Sequence, residues 1–212
     1  MSYTLYYFPI RGRGEQVRLF FRAFDIAFED VQTKRDAFLA LKKEGPATLA
    51  FGSLPMLEDD SFRLCQGPVI LSYLAGKHNV APSDPQQSAM ADAIAWGAED
   101  LRTQYFKLFG EEANTKQAEF VAENWQQRCL PHLDGLLELN GNPSNNPEDN
   151  PPHFIGSSLS HADIAVWDVL EAILINIDAA TLDGYSHLVA FYDPFRARPA
   201  VAAYIESGGR LS

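Results

Sequence analysis

The sequence predicts an α/β domain followed by an all-α domain. Three observations carry that expectation. In the first 77 residues, short runs with the two-residue period of strands alternate with runs of helical period. The stretch Asn79–Pro85 (NVAPSDP) breaks every period. Beyond it the apolar residues recur only at helical spacing. The expected organisation is therefore 1–78, a linker over 79–85, and a helical domain over 86–212.

Tyr3 to Phe8 (YTLYYF) is aromatic and β-branched, and Pro9 closes it as a strand. From Gly14 to Phe24 the apolar residues Val17, Phe20, Phe21 and Phe24 fall on one helical face. Ala27–Gln32 alternates as a second strand, and 34–43 is a short helical or irregular stretch before Gly45-Pro46. Leu54–Glu58 and Ser61–Leu64 read as a hairpin turning at Asp59-Asp60. Pro68 suits the first turn of a helix, where its missing N–H costs nothing, with Val69, Ile70, Tyr73 and Leu74 on the buried face. After the linker, helices are expected over 89–109, over 116–139 in one or two pieces, over 162–177, and over 193–207 with a break at Arg198-Pro199. Residues 140–153 (NGNPSNNPEDNPPH) are dense in turn formers and read as a surface loop.

Composition narrows the function classes. There are 28 acidic and 17 basic side chains, a net charge of −11, so the basic footprint of a nucleic-acid or anionic-membrane binder is absent. No run of 18 apolar residues suggests a membrane span. The start of the chain has no secretory pattern. Cys65 and Cys129 are far apart, outside any disulfide framework, and the five histidines show no metal-ligand spacing. The expectation is a cytoplasmic protein that uses no metal and binds neither nucleic acid nor membrane.

Three short segments hold the candidate chemistry. Tyr7 stands at the carboxyl end of the first strand, where a phenol can donate to a developing anion such as a thiolate; the same residue also fits plain packing. Leu54-Pro55 is either an ordinary edge feature or, if the bond is cis, a backbone ledge open to an extended ligand. Gln66-Gly67-Pro68 places free N–H groups at a helix start, suited to a carboxylate or simply to a capped helix. Gly12-Arg13-Gly14 is too short for a phosphate loop. Ser160-His161-Ala162-Asp163 has the form of a capping box and is assigned to folding, not chemistry.

Taken together these segments resemble the cytosolic glutathione transferases of the tyrosine type, most closely the pi class within the pi, sigma, mu and alpha group. YTLYYFPIRGRGEQVRL is similar to that class's opening, and FGSLPMLEDD with LCQGPVILSYLA to its strand, hairpin and helix. AWGAEDLRTQY, SLSHADIAVWDVL and FRARPAVAAYIES continue the likeness in order along the whole chain. The resemblance implies a thioredoxin-like first domain, an all-helical second domain and a homodimer. It implies a glutathione co-substrate whose thiolate is conjugated to small hydrophobic electrophiles in detoxification.

Residue by residue, the likeness gives Tyr7 as hydroxyl donor to the thiolate, Leu54 as backbone partner with Pro55 in cis, and Gln66 and Gly67 at the γ-glutamyl end. Arg13 would line the glutathione pocket, and Asp100 would reach the glutathione of the neighbouring subunit. Phe51 would be an aromatic key at the dimer contact. Phe8, Ile10, Phe109 and Gly110 would border the hydrophobic substrate. There are departures. Ser53 stands where the family usually has Gln, and Gly67 where it usually has Ser. Phe38 stands near the position of the family's Trp, and Lys42 or Lys43 would supply the cation at the glycine carboxylate. No hydroxyl stands at Phe109-Gly110, where the pi class often has a Tyr. Weaker glutathione binding and an altered electrophile site are expected. A non-catalytic carrier or crystallin-like relative, and a sigma-type glutathione-dependent isomerase, remain the alternatives.

Overall fold

The structure is a computed structural model and describes residues 2–140, 151–177, 182–207 and 210–211. The chain divides into two compact units, 1–79 with 198–212, and 80–197. The final stretch from Arg198, expected with the helical domain, thus groups with the first unit.

The first unit is built on a four-stranded sheet in the order β2-β1-β3-β4. β1 (Tyr3–Tyr7) pairs in parallel with β2 (Glu29–Gln32) and antiparallel with β3 (Met56–Asp59), which pairs antiparallel with β4 (Phe62–Cys65). A parallel pair needs a crossover, and α1 (Glu15–Ala23) supplies it, entered through a 3-10 turn at Gly12–Gly14. The face of α1 that was expected to be apolar is buried at Val17, Phe20 and Phe21. Glu15 and Arg18 are buried on α1 as well. The hairpin turns at Asp60-Ser61, one residue later than expected, with Asp60 at φ 54°. The reason is that Asp59 belongs to β3: its buried carboxylate accepts the Tyr73 hydroxyl at 2.6 Å and pairs with Lys77.

α2 (Arg35–Lys43) carries no fully buried residue. α3 (Gly67–Lys77) starts on Pro68 as expected, but it buries Ile70, Leu71, Leu74 and Ala75 while Val69 lies exposed. α9 (Pro199–Glu206) packs on α1, where the Tyr204 hydroxyl reaches Glu15 at 3.1 Å.

The second unit is helical. α4 (Pro85–Phe106) begins inside the expected linker, because Asp84 accepts the N–H groups of Gln86 and Gln87 and Pro85 occupies the first turn. α5 (Ala113–Glu119), a π-helical stretch (Phe120–Cys129) and α6 (Leu130–Asn140) fill the region expected to hold one or two helices. α7 (His161–Asn176) is almost wholly buried and packs along α4, with Arg102 paired to Asp168 at 2.8 Å.

α8 (Ser186–Arg196) starts before the expected 193. Its cap comes from a distant helix: the Asp134 carboxylate accepts the N–H groups of His187 and Leu188, each at 3.0 Å. The expected loop falls mostly on 141–150, outside the described residues. Its borders are joined where the Asn140 amide donates to the carbonyls of His153 and Gly156 at 2.8 and 2.7 Å. Among the described residues, no helix is long and apolar enough to cross a membrane.

Candidate active site

Strand alternation puts Tyr3, Leu5 and Tyr7 on one buried face of β1. The chain then turns back over the end of the strand, so the 3-10 turn lies against the Tyr7 ring. A Cβ on Gly12 would stand 2.6 Å from the phenol oxygen, and one on Gly14 would stand 2.6 Å from the ring carbons. Only bare Cα atoms let the turn approach this closely, and Gly12 also holds φ +43°. The approach brings the Arg13 N–H to within 2.8 Å of the Tyr7 oxygen, to which it donates. That bond uses a lone pair and fixes the oxygen in place.

The turn is held from beneath. Arg18 donates to Asp30 at 2.8 Å and to the Ile10 carbonyl at 3.0 Å, with its guanidinium carbon 5.8 Å from the Tyr7 ring centroid. Glu15 sits beside Arg18 and accepts from Tyr204 and, at 2.7 Å, from Arg210. Burial, reinforced by the Glu15 carboxylate, pushes the Tyr204 phenol far above its ordinary value, so it remains a neutral donor. These support residues were missed in the sequence. The signal for Gly12 and Gly14 is the pair of glycines around Arg13 after a strand end, which marks a close backbone approach and not a phosphate loop.

Around Tyr7 the structure gathers several predicted residues. Tyr7, Leu54, Met56, Leu49 and Cys65 form one buried cluster, with Phe8 and Phe38 packed on it. Phe8 meets Tyr7 and Phe38 edge-on at centroid distances of 5.6 and 5.2 Å. The Leu54–Pro55 bond is cis. Lys42 lies with its ammonium 6.0 Å from the Phe38 ring, and its Cε is 3.2 Å from a Cβ built on Gly52. Lys42 is thereby placed beside Gly52, and both Lys42 and Lys43 are exposed on α2. Ser53 is exposed.

At the start of α3, Gln66 has φ 78° and ψ 113°, a conformation side chains rarely adopt, and no side chain caps the helix there. The Gln16 amide lies against Gly67 and donates to the Arg13 carbonyl at 3.3 Å. This joins the α3 start to the turn over Tyr7. Ile10 is exposed close to this turn. Phe51 is 76% exposed and takes no part in the Tyr7 cluster.

The other predicted residues belong to the second unit. Asp100 is exposed on α4, whereas its neighbours Glu99 and Arg102 bond each other at 3.2 Å. Phe109 lies beyond the end of α4, edge-on to Tyr105 at 5.0 Å, and Gly110 has φ +97° in open space. A separate apolar cavity of about 380 Å³ opens among Met90, Ile94, Leu101, Cys129, Leu133 and Val166 and holds none of the predicted site residues. Both cysteines are free thiols, and burial raises the pKa of each. Among the described residues, no cluster of three or more His, Cys, Asp or Glu side chains has the arrangement of a metal site.

Comparison with known proteins gives a consistent picture. Residues 1–76 match the family model for the glutathione S-transferase N-terminal domain, and residues 99–208 match the one for the C-terminal domain. Glutathione S-transferase P 1 of Xenopus laevis is 29% identical over 99% of this chain and 94% of its own length. The hematopoietic prostaglandin D synthase of Gallus gallus is 30% identical over 97% of this chain and 96% of its own. The solved pi-class glutathione S-transferase of Onchocerca volvulus superposes with a TM-score of 0.86 at 29% identity, covering 99% of this chain and 94% of that one. The small mixed sheet bearing Tyr7 is thus a thioredoxin-like domain, and the helical unit is its usual companion. With both family models matched in order, the chain belongs to the glutathione S-transferases, enzymes that conjugate glutathione as co-substrate.

Proposed function

We propose that Tyr7 is the hydroxyl donor that holds the glutathione sulfur as a thiolate for attack on small hydrophobic electrophiles. The observation that carries this reading is the Arg13 N–H bond to the Tyr7 oxygen, which fixes the phenol at the end of β1 beside the cis Leu54–Pro55 segment. A donor placed before the reaction stabilises the thiolate without reorganisation, so more of the thiol is ionised at neutral pH. The sulfur lone pair then forms a C–S bond to the electrophilic carbon. In a substitution, the leaving group departs with the electrons of the broken bond.

In this reading the rest of the cluster binds the tripeptide. Leu54 offers its backbone to the cysteinyl part, Gln66 and Gly67 receive the γ-glutamyl carboxylate at the α3 start, and Arg13 lines the pocket. Lys42, which lies over the Phe38 ring and beside Gly52, meets the glycine carboxylate in preference to Lys43. Phe8 and Ile10 border the apolar part of the second substrate. The dimer follows the family pattern, Phe51 docking into a second copy and Asp100 reaching the glutathione held there; the large exposure of both fits this role. Two free thiols fit a cytoplasmic setting.

The test is Tyr7→Phe in a conjugation assay with chloro-dinitrobenzene. Loss of one hydrogen bond to a charged group lowers turnover about 10–100-fold, while glutathione-agarose still retains the protein. Unchanged turnover refutes the assignment. Retention without any conjugation by the unaltered protein favours the carrier reading. Because a prostaglandin D synthase is among the relatives, product analysis with endoperoxide substrates tests whether the same thiolate also serves an isomerisation.

A further inference from the structure

The start of α3 has no side chain at Gly67, yet the space beside it is not vacant. A Cβ on Gly67 would lie 2.5 Å from Gln16 Nε2 and 3.2 Å from Gln16 Cδ. Gln16 reaches that place from α1, and its side chain is buried to within 1% of full enclosure. The nitrogen end of the amide fronts Gly67, and it donates to the Arg13 carbonyl at 3.3 Å. The N–H of the same residue, Arg13, holds the Tyr7 oxygen at 2.8 Å. A continuous chain of contacts therefore runs from the phenol, through the Arg13 residue and the Gln16 amide, to the helix start where Gln66 holds φ 78°.

We propose that Gln16 is a positioning residue for the γ-glutamyl end of glutathione, its amide filling the space beside Gly67 at the α3 start. The proposal rests on the reading of the α3 start as the γ-glutamyl site. Gly67 makes room for the amide: a side chain at 67 would meet Gln16 Nε2 at 2.5 Å and displace it from the Arg13 carbonyl. The two positions are therefore coupled, α1 supplying the polar group that a side chain at 67 would otherwise bring.

The test is a binding cycle read with two ligands, glutathione and cysteinylglycine, the latter lacking the γ-glutamyl group. Gln16→Met keeps the volume and removes the donor. It is expected to raise the glutathione Kd about fivefold while leaving cysteinylglycine binding unchanged. Gly67→Ser alone is expected to weaken glutathione binding to a similar extent, through collision with Gln16. The double variant Gln16→Ala with Gly67→Ser recovers binding to within about twofold of the unaltered protein, since the two substitutions couple through one site. Wild-type binding by Gln16→Met, or a double variant no better than Gly67→Ser, overturns the proposal; should either single variant fail to fold, the folded double variant still decides it. Equal affinity of the unaltered protein for glutathione and cysteinylglycine would instead overturn the γ-glutamyl assignment itself.

Discussion

Two helix starts in this molecule show opposite solutions to one problem. Every α-helix begins with N–H groups that have no partner within the helix. At α7 the fold supplies partners: Ser160 is extended, at φ −125° and ψ 175°, and forms a capping box with Asp163. The Asp163 carboxylate accepts the Ser160 N–H at 2.7 Å, the Ser160 hydroxyl at 2.9 Å and the Phe154 N–H at 2.8 Å, all buried. At α3 the residue before the helix is Gln66, held at positive φ, with no side-chain cap. The first helix start is completed by folding. The second has no side-chain cap and a strained residue before it, and in the proposed function the γ-glutamyl carboxylate completes it. On that reading the contrast separates residues that make the protein stable from residues that make it bind.

The largest expected effect comes from breaking the completed end. Asp163→Ala strands two buried backbone donors at once and should lower stability by about 3–4 kcal/mol. Denaturant unfolding measures this, and conjugation per folded molecule should be unchanged. If activity instead falls with stability intact, the division between the two helix starts fails. The opposite substitution is Gln66→Gly. Glycine adopts φ 78° without strain, so stability should rise by about 0.5–1 kcal/mol, while glutathione binding weakens with loss of the side chain. A stability gain with undiminished affinity would show that the strain at Gln66 serves no ligand.

The two helix starts also differ in how far they could be read from sequence. Ser160-His161-Ala162-Asp163 announces its cap because both partners lie within four residues, and the structure contains the expected box. At α3, Gln66-Gly67-Pro68 announces a helix start but not its neighbour. Gln16 lies fifty positions away, and only the folded sheet brings α1 beside it. The same limit hid the Asp134 cap that begins α8 and the Tyr204 and Arg210 contacts to Glu15. Local periods were legible, so the sheet, the hairpin to within one residue and the helical second half were all readable. For the candidate site, the phenol, the Leu-Pro pair and the helix start were found through their joint likeness to one family. The groups that orient them were not, because each acts across the fold.

The smallest effect is a pH dependence that belongs to the capped helix start alone. His161, the first residue of α7, is buried and donates from Nε2 to the Asp92 carboxylate at 3.0 Å. Burial pulls its pKa below the ordinary histidine value, against the opposing pull of Asp92 and Asp163. A helix start also disfavours a cation there. With the folded value below the unfolded one, the unfolded chain takes up the proton first as pH falls through about 6.5. His161 therefore lowers stability progressively from that pH downward, and the penalty levels off only below its folded pKa. His161→Gln keeps an amide facing Asp92 but does not titrate. Its unfolding free energy should fall less than that of the unaltered protein between about pH 7 and pH 5, read from denaturant curves at each pH. Parallel curves would show that His161 bears no pH-dependent strain at this end. At the α3 start, Gln66 and Gly67 bring no titratable side chain of their own, so Gln66→Gly should leave the same pH profile untouched.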